Sequence, residues 1–303
     1  MVNSFSFIKE LGDEVIIYCN GQYIDEQDAK ISPLDHGFLY GMGLFETVRI
    51  YKGHPFLLDD HLLRMQKGLQ EMGIETFVRK GEILAIIQEL LELNRLQDAR
   101  IRINYSAGVG KAGLPEGHYL HPGLIVFISP LPEAGDQIVK RDAVILKLKR
   151  NMPEIGIRLK SHHFGNNIAA KMELQKTYPD AEGIFLTQEG FVAEGITSNI
   201  FWVKNGILYT PSENTGILLG ITRQWIIAAA NKLGYEVREG CFSLSELQDA
   251  EEVFLTNSIQ EIVGVNQLIG ISAYRGAAGE LTQALHRQYK LERMSSWTCE
   301  NLL

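Results

Sequence analysis

The feature that most limits how this chain can fold is a break, SPLPEAGDQ, bearing two prolines and a glycine between two strand-rich halves. On its N-terminal side, EVIIYCNGQYI reads as two short strands around Asn20-Gly21, a strong hairpin turn signal. A loop with Ser32, Pro33, Asp35, His36 and Gly37 leads into the β-rich run GLFETVRIYKG. Leu62, Met65, Leu69 and Met72 then recur at helical spacing, and GEILAIIQELLELN predicts a second helix. ARIRINYSAG and GLIVFISPL read as strands. Beyond the break, strands are predicted at AVILKLK, GIFLT, GFVAEG, NIFWVKNGILYT (turning at Asn205-Gly206) and EVFLT. Helices are predicted at FGNNIAAKMELQKTY, TRQWIIAAANKLG and SLSELQ.

Strand-rich halves with helices packed outside them predict an α+β architecture with a cleft between two domains. The expected division is 1–14 as an N-terminal extension, 15–130 as a small domain, 131–138 as a linker, 139–290 as a large domain and 291–303 as a loose tail. A length of 303 residues, 45% hydrophobic and 22% charged, suits two such cores in a globular enzyme. The net charge of -8 argues against nucleic acid or an anionic membrane as partner, yet local cations can still hold a small anion. No apolar run approaches the roughly 20 residues of a membrane helix. The start MVNSFSFIKELGDE lacks the pattern of a signal peptide, and Cys19, Cys241 and Cys299 are scattered and odd in number. A cytoplasmic location is therefore expected, with neither a disulfide framework nor a zinc site.

Gly108, Gly110 and Gly113 spell GxGxxG after a strand, but LPEGHYLHPG follows instead of the helix a dinucleotide fingerprint needs. A glycine-rich loop is the reading here, with its Lys111 a candidate partner for a carboxylate. GILLGITRQWIIAAANKLG is the better phosphate candidate, because Gly220 precedes a helix opening near Thr222, whose free N–H groups and dipole attract an anion. Thr222 reads equally as a plain helix cap. Glu194 lies between two apolar runs, with Thr197, Ser198 and Asn199 beside it, and reads either as a turn residue or as a partner for a pyridine nitrogen. Lys160 ends the run IGIRLK just before a helix, where an amine can be desolvated and aimed; Lys171 and Lys149 compete on composition alone. His162 and His163 point opposite ways in an extended segment and read as packing or supporting residues.

Six segments together resemble the class IV aminotransferase family, the fold type IV pyridoxal-phosphate enzymes. They are DHGFLYGMGLFETVR, DDHLLRM, RLKSHHFGNNIAAKMEL, VAEGITSNIFWV, LLGITR and TNSIQEI, and the resemblance runs from about Val15 to Gly264. The resemblance implies a small N-terminal α/β sandwich, a larger C-terminal pseudo-barrel with outer helices, and pyridoxal 5'-phosphate in the cleft between them. It implies that Lys160 carries the cofactor as a Schiff base and that Glu194 pairs with the pyridine nitrogen. Arg64 would bind the phosphate, with Ile221 and Thr222 of the GITR turn and the hydroxyl of Ser258. Phe164 would stand beside the cofactor, as would Thr197 and Ser198. It further implies a homodimer, with residues of one small domain near the other subunit's active site.

The family includes branched-chain aminotransferases, D-amino acid aminotransferases and aminodeoxychorismate lyases. Phe45 stands where the D-amino acid enzymes carry a carboxylate-binding tyrosine, and the loop near Lys111 lacks their arginine–histidine trap. DHGFLYGMGLFETVR, LKSHHFGNN and TNSIQEI together resemble the lyases of Gram-positive type. The implied reaction converts 4-amino-4-deoxychorismate, an anionic amine, to 4-aminobenzoate and pyruvate in folate biosynthesis. The alternative is a branched-chain or D-amino acid aminotransferase. Tyr40, Phe45, Arg49 and Lys111 are the candidates for the substrate side, Arg102 is a weaker one, and Thr47, beside Glu46, is a candidate for handling a proton at the departing pyruvate.

Overall fold

The computed structural model describes residues 14–302, so the expected N-terminal extension lies outside the described residues except for Glu14. The first sheet contains β1 (Ile16–Cys19), β2 (Gln22–Asp25), β3 (Gly43–Tyr51), β4 (His54–Pro55), β5 (Ala99–Ser106) and β6 (Gly123–Pro130). Its spatial order is β2-β1-β6-β5-β3-β4 with every pair antiparallel. Asn20 and Gly21 both take positive φ, 47° and 96°, the left-handed pair that a two-residue hairpin turn needs. The three helices of this half are α1 (His36–Tyr40), α2 (Leu58–Glu71) and α3 (Lys80–Leu93). α2 and α3 cover one face of the sheet, where Met65, Leu69, Ile83 and Ile87 meet Val48, Ile101 and Val126. Side chains alternate along a strand, so Leu44, Val48 and Ile50 enter that core, leaving Phe45, Thr47 and Arg49 on the opposite face.

Residues 131–138 contain no helix or strand and lead into the second sheet. Its strands are β7 (Val139–Ile145), β8 (Glu182–Leu186), β9 (Val192–Gly195), β10 (Asn199–Lys204), β11 (Ile207–Pro211), β12 (Val237–Gly240), β13 (Glu252–Asn257), β14 (Glu261–Leu268) and β15 (Ser272–Ala273). The main path runs β12-β11-β10-β13-β14-β7-β8-β9, and β15 pairs with β14. Chain connectivity forces this sheet to curl. Five strand spacings separate β10 from β9 along the path, roughly 24 Å if the sheet were flat. The link from Gly195 to Asn199 is only four residue steps, at most about 15 Å. The two strands must therefore approach by rolling the sheet, and the Gly195 N–H donates to the Ser198 carbonyl at 2.7 Å in the connection.

The rolled sheet is apolar on both faces. Ile200 and Trp202 of β10 point inward with Val253, Leu255 and Val263. The alternate residues Phe201 and Val203 point outward beneath α5 (Ile221–Lys232) and α7 (Glu280–Glu292), against Trp225 and Leu285. α4 (Gly165–Thr177) covers Phe185 and Ala193 through Ala170 and Leu174, and α6 (Leu244–Gln248) is a short closing helix. The result is the expected α+β architecture of a layered small sheet and a curled larger sheet with outer helices. No helix among the described residues is long and apolar enough to cross a membrane.

Several local expectations are corrected. The loop at Asp35–Gly37 contains α1, capped by the Asp35 side chain, which accepts from the Gly37 N–H at 2.7 Å. The strand predicted at AVILKLK begins earlier, at Val139. It ends at Ile145 because the Glu173 carboxylate takes the N–H groups of Lys147 and Leu148. β12, β14 and α7 were not foreseen, since Gly264, Asn266 and Gln267 interrupt β14 and polar residues crowd α7. The tail is not loose. Arg293 is buried 3.1 Å from the Glu261 carboxylate, and Trp297 packs against the first core.

Trp225 is fully buried and meets the Tyr289 ring edge-on at 4.9 Å, joining α5 to α7. Trp225→Ala is expected to lower stability by about 3–5 kcal/mol in urea unfolding, with the cavity left between the two helices as the cause.

Candidate active site

The site begins with an anomaly in β3. Glu46 has the same parity as Leu44 and Val48, so its carboxylate enters the apolar face under α2 and is only 1% exposed. Two residues of α2 one helical turn apart, His61 and Arg64, meet it there. Arg64 is bidentate, with Nε and NH2 each 2.7 Å from a Glu46 oxygen, and His61 Nδ1 lies 2.6 Å from Oε2. Burial alone would raise the Glu46 pKa, but Arg64 and His61 together hold it well below the usual carboxylate range. Burial also lowers the pKa of His61, against the pull of Glu46, and so keeps the ring neutral. A neutral ring that donates Nδ1–H to Glu46 leaves Nε2 as an acceptor, and the Ser258 hydroxyl is 3.4 Å from it. The remaining nitrogen of Arg64, NH1, donates to the Leu219 carbonyl at 2.8 Å.

That last bond brings Arg64 to the start of α5. The first backbone bond of this helix runs from Gln224 N–H to the Gly220 carbonyl, so the amides of Ile221 and Thr222 have no partner within the helix. Gly220 must lack a side chain, because a Cβ there would lie 2.2 Å from Asn199 Oδ1. A guanidinium and free amides at one helix N-terminus make a cradle for a phosphate-sized dianion. Ser258 approaches the same group through His61. Arg64 and Ile221 line one cavity, Thr222 follows Ile221 on α5, and Ser258 stands behind His61.

Lys160 lies on an irregular segment tied to the start of β3. Its carbonyl accepts from Phe45 N–H at 2.9 Å, and the His162 N–H donates to the Gly43 carbonyl at 3.0 Å. A Cβ on Gly43 would collide with the His162 ring at 2.3 Å, so the YGMG and SHHF segments fit each other. His162 and His163 indeed support this junction: His162 Nε2 is 3.2 Å from Asn104 Oδ1 and His163 Nε2 is 3.1 Å from the Tyr40 carbonyl. The Lys160 amine stands 4.6 Å from the centre of the Phe45 ring, and Phe164 meets that ring edge-on at 5.8 Å. Burial, and then the Arg64 guanidinium, lower the Lys160 pKa from 10.5 to about 8. Lys171 is exposed on α4, and Lys149 does not line the cleft.

Glu194 is buried on β9 and closes another side. Arg150 Nε is 2.8 Å from Oε1, while Oε2 accepts from the Leu218 N–H at 3.1 Å and from Asn199 Nδ2 at 3.4 Å. Burial raises its pKa despite the pull of Arg150 and Arg158. Ser198 is buried, and its hydroxyl finds no partner among the described residues, whereas Thr197 is exposed. A cavity of about 230 Å³ is lined by Phe45, Glu46, Arg64, Lys160, Leu218, Leu219 and Ile221, among others. A phosphate cradle, a weakly basic amine, a buried carboxylate and an unpartnered hydroxyl suit a polar heteroaromatic ring with an anionic arm.

Against this geometry stand the comparisons with known proteins. The family model for amino-transferase class IV matches residues 43–268. The chain belongs to the class IV aminotransferase family. It is 45% identical over 280 residues to the aminodeoxychorismate lyase of Bacillus subtilis, covering 91% of this chain and 94% of that one. The branched-chain amino acid aminotransferase of Escherichia coli superposes with a TM-score of 0.81 at 28% identity, covering 94% and 96% of the two chains. The T.th. branched-chain amino acid aminotransferase, solved with pyridoxamine 5'-phosphate, gives 0.82 at 26% identity, covering 92% and 93%.

On the substrate side of this class IV site the structure sets the candidates apart from one another. Arg49 is four residues beyond Phe45 on β3, about 13 Å along the strand. Its guanidinium is committed elsewhere: it donates to the Ile259 carbonyl and to the Pro132 carbonyl at 3.3 Å, with Glu261 at 3.9 Å. It bolts the two sheets together. Lys111 is exposed on the glycine-rich loop, with its carbonyl facing His36 Nε2 at 2.9 Å. Tyr40 stays near the rim, where its hydroxyl accepts from the Gly113 N–H at 2.7 Å. Of the substrate-side candidate cations, Arg102 is the one that touches a cavity-lining residue: its guanidinium carbon is 3.6 Å from the centre of the Phe45 ring. Glu46, His61 and Arg150 were missed as supports. A carboxylate at an inward position of β3 was a legible signal for the first. Among the described residues no group of three His, Cys, Asp or Glu is placed to hold a metal.

The lowered basicity of Lys160 should appear in its chemistry. Its reaction with an amine-directed acylating reagent, followed by peptide mass spectrometry on cofactor-free protein, is expected to rise with a midpoint near pH 8. A midpoint near the ordinary 10.5 would show an amine that the site does not perturb.

Proposed function

We propose that this chain is a pyridoxal-phosphate-dependent lyase that converts 4-amino-4-deoxychorismate to 4-aminobenzoate and pyruvate. The observation that carries the reading is the Lys160 amine, its pKa drawn down to about 8, in a cleft lined by Arg64 and by Ile221 at the start of α5, with buried Glu194 bonded to the lining residue Leu218. The 45% identity to the aminodeoxychorismate lyase of Bacillus subtilis supports this substrate over an amino acid.

When bound, pyridoxal 5'-phosphate supplies an aldehyde that takes up amines and a ring that withdraws electrons. Arg64, the amides of Ile221 and Thr222, and the Ser258 hydroxyl would hold its phosphate. Glu194 would face the ring nitrogen and favour its protonated form, and Ser198 would find a partner for its hydroxyl. Phe45 and Phe164 keep water from the working end of Lys160. Lys160 would act as a neutral base toward the proton on the substrate ring carbon that bears the amine. Its pKa near the working pH lets it accept that proton and give it up again. The enolpyruvyl oxygen would then leave from the adjacent carbon of the same ring, which becomes aromatic, and a proton delivered to the methylene carbon of the departing enolpyruvate gives pyruvate. Thr47, opposite Arg102 across β3 and β5, is the proposed group for handling that proton. Arg102 is the proposed partner for a substrate carboxylate, in place of Arg49 and Lys111.

A second reading, a branched-chain aminotransferase, is favoured by the likeness to the E. coli enzyme. We also propose a cytoplasmic homodimer. The exposed apolar side chains Phe38, Val109, Leu114 and Leu120 would be covered by a second copy.

Three measurements test these readings. Incubation with 4-amino-4-deoxychorismate is expected to release 4-aminobenzoate and pyruvate without any 2-oxo acid; a strict need for one would select the aminotransferase. Lys160→Ala is expected to lose the visible absorbance of the cofactor-loaded protein, and its retention would point to another lysine. Arg102→Gln is expected to raise KM at least tenfold with a smaller change in kcat, about 1.4 kcal/mol or more of lost ground-state binding.

A further inference from the structure

The helix that carries Arg64 does not cap itself. Leu57, at the N-cap of α2, is left-handed (φ 55°) and makes no side-chain cap bond. Its opening amides are taken instead by the far end of the chain. Leu57 N–H donates to the Ser296 carbonyl and Asp59 N–H to the Trp297 carbonyl, both at 3.1 Å. The exchange is reciprocal: Asp60 Oδ1 accepts from the Thr298 hydroxyl at 2.9 Å and Oδ2 from the Cys299 N–H at 2.7 Å. The same segment then reaches α5. Cys299 Sγ lies 4.0 Å from the carbonyl oxygen of Ile221, the first residue of that helix. The Trp297 ring is wedged between His54, at 4.7 Å, and the Lys80 ammonium, at 4.2 Å, which fixes the segment against the first domain as well.

We infer that residues 296–300 form a clasp that holds the starts of α2 and α5 at the spacing needed for Arg64 and the Ile221–Thr222 amides to grip one phosphate. Asp60 and Arg64 are four residues apart on α2, one turn along the same face, so a shift of the clasped end moves the guanidinium. Arg64 itself bonds the Leu219 carbonyl just ahead of α5, so the clasp and the phosphate arginine bridge the same gap. Asp60, Arg64 and Ile221 also line one cavity. Thr298 touches no cofactor; it is a positioning residue that acts through Asp60. The inference rests on the reading that the cleft holds pyridoxal 5'-phosphate.

The test compares binding of pyridoxal 5'-phosphate with that of pyridoxal, which has the same aldehyde and ring but no phosphate. Both are titrated by absorbance into cofactor-free full-length protein. Thr298→Val removes the hydroxyl with little change of shape, and Thr298→Ser restores it. For Thr298→Val the dissociation constant of pyridoxal 5'-phosphate is expected to rise about fivefold, the size of one lost cap-type bond, while that of pyridoxal stays at the wild-type value. Thr298→Ser is expected to return the first constant to wild type. An unchanged affinity for pyridoxal 5'-phosphate in Thr298→Val, or an equal loss for both compounds, overturns the clasp. Wild-type protein that takes up neither compound overturns the cofactor reading and the clasp with it, whereas normal wild-type uptake with an unresponsive Thr298→Val overturns the clasp alone.

Discussion

A carboxylate inside a hydrophobic core needs a compensating charge within hydrogen-bond reach, and Glu46 has two partners on α2. Removing such a group from water is costly unless it is paired, so the contact strongly constrains how α2 lies across β3. Once Glu46 has taken Nε and NH2 of Arg64, the remaining NH1 can reach only forward, to the Leu219 carbonyl at the entry to α5. The interaction therefore does more than neutralise a buried charge. It turns one guanidinium toward the larger sheet and gives the N-terminus of α5 a cation beside its free amides.

The electrostatics of Lys160 follow from the same arrangement. Burial disfavours the ammonium, and Arg64 adds a like charge nearby; Glu46 and Glu194 pull the other way. The balance leaves an amine that is weakly basic without being stripped of protons altogether. Such an amine can both bind an aldehyde and shuttle a proton near neutral pH. Phe45 contributes from the same strand as Glu46 but from its other face, beneath both the Lys160 amine and the Arg102 guanidinium. Adjacent residues of β3 thus both line one cleft.

Much of this was legible in order along the chain. Lys160, Glu194 and Thr222 could be proposed from local context, because each sits where a strand or loop meets a helix or a turn. Arg64 and Ser258 needed the family resemblance, since a lone arginine on an amphipathic helix and a lone serine in a loop look like surface residues. The separate surroundings of Arg49 and Arg102 were not legible in the sequence. Both lie on strands of the first sheet, and only the folded chain shows that Arg49 meets Ile259 and Pro132 while Arg102 lies over Phe45. Arg150 follows the run AVILKLK and has no local signal of a role, yet it is buried against Glu194. The C-terminal segment carries no periodic pattern, and its order comes from contacts with residues more than two hundred positions away.

The sequence by itself determined most of the elements and the chemical inventory: two hairpins at Asn-Gly turns, helices at amphipathic runs, a break between halves, and an amine, a carboxylate and a helix N-terminus suited to one cofactor. Those follow from local backbone preferences and side-chain periodicity, which act over a few residues. Tertiary structure alone decided which charges pair and which remain available. The curl of the second sheet, the turn of Arg64 by Glu46, the withdrawal of Arg49 and the return of residues 296–300 to the start of α2 all depend on groups distant in sequence. Their energies are set by burial and by distances of a few ångströms, quantities that exist only once the chain is packed.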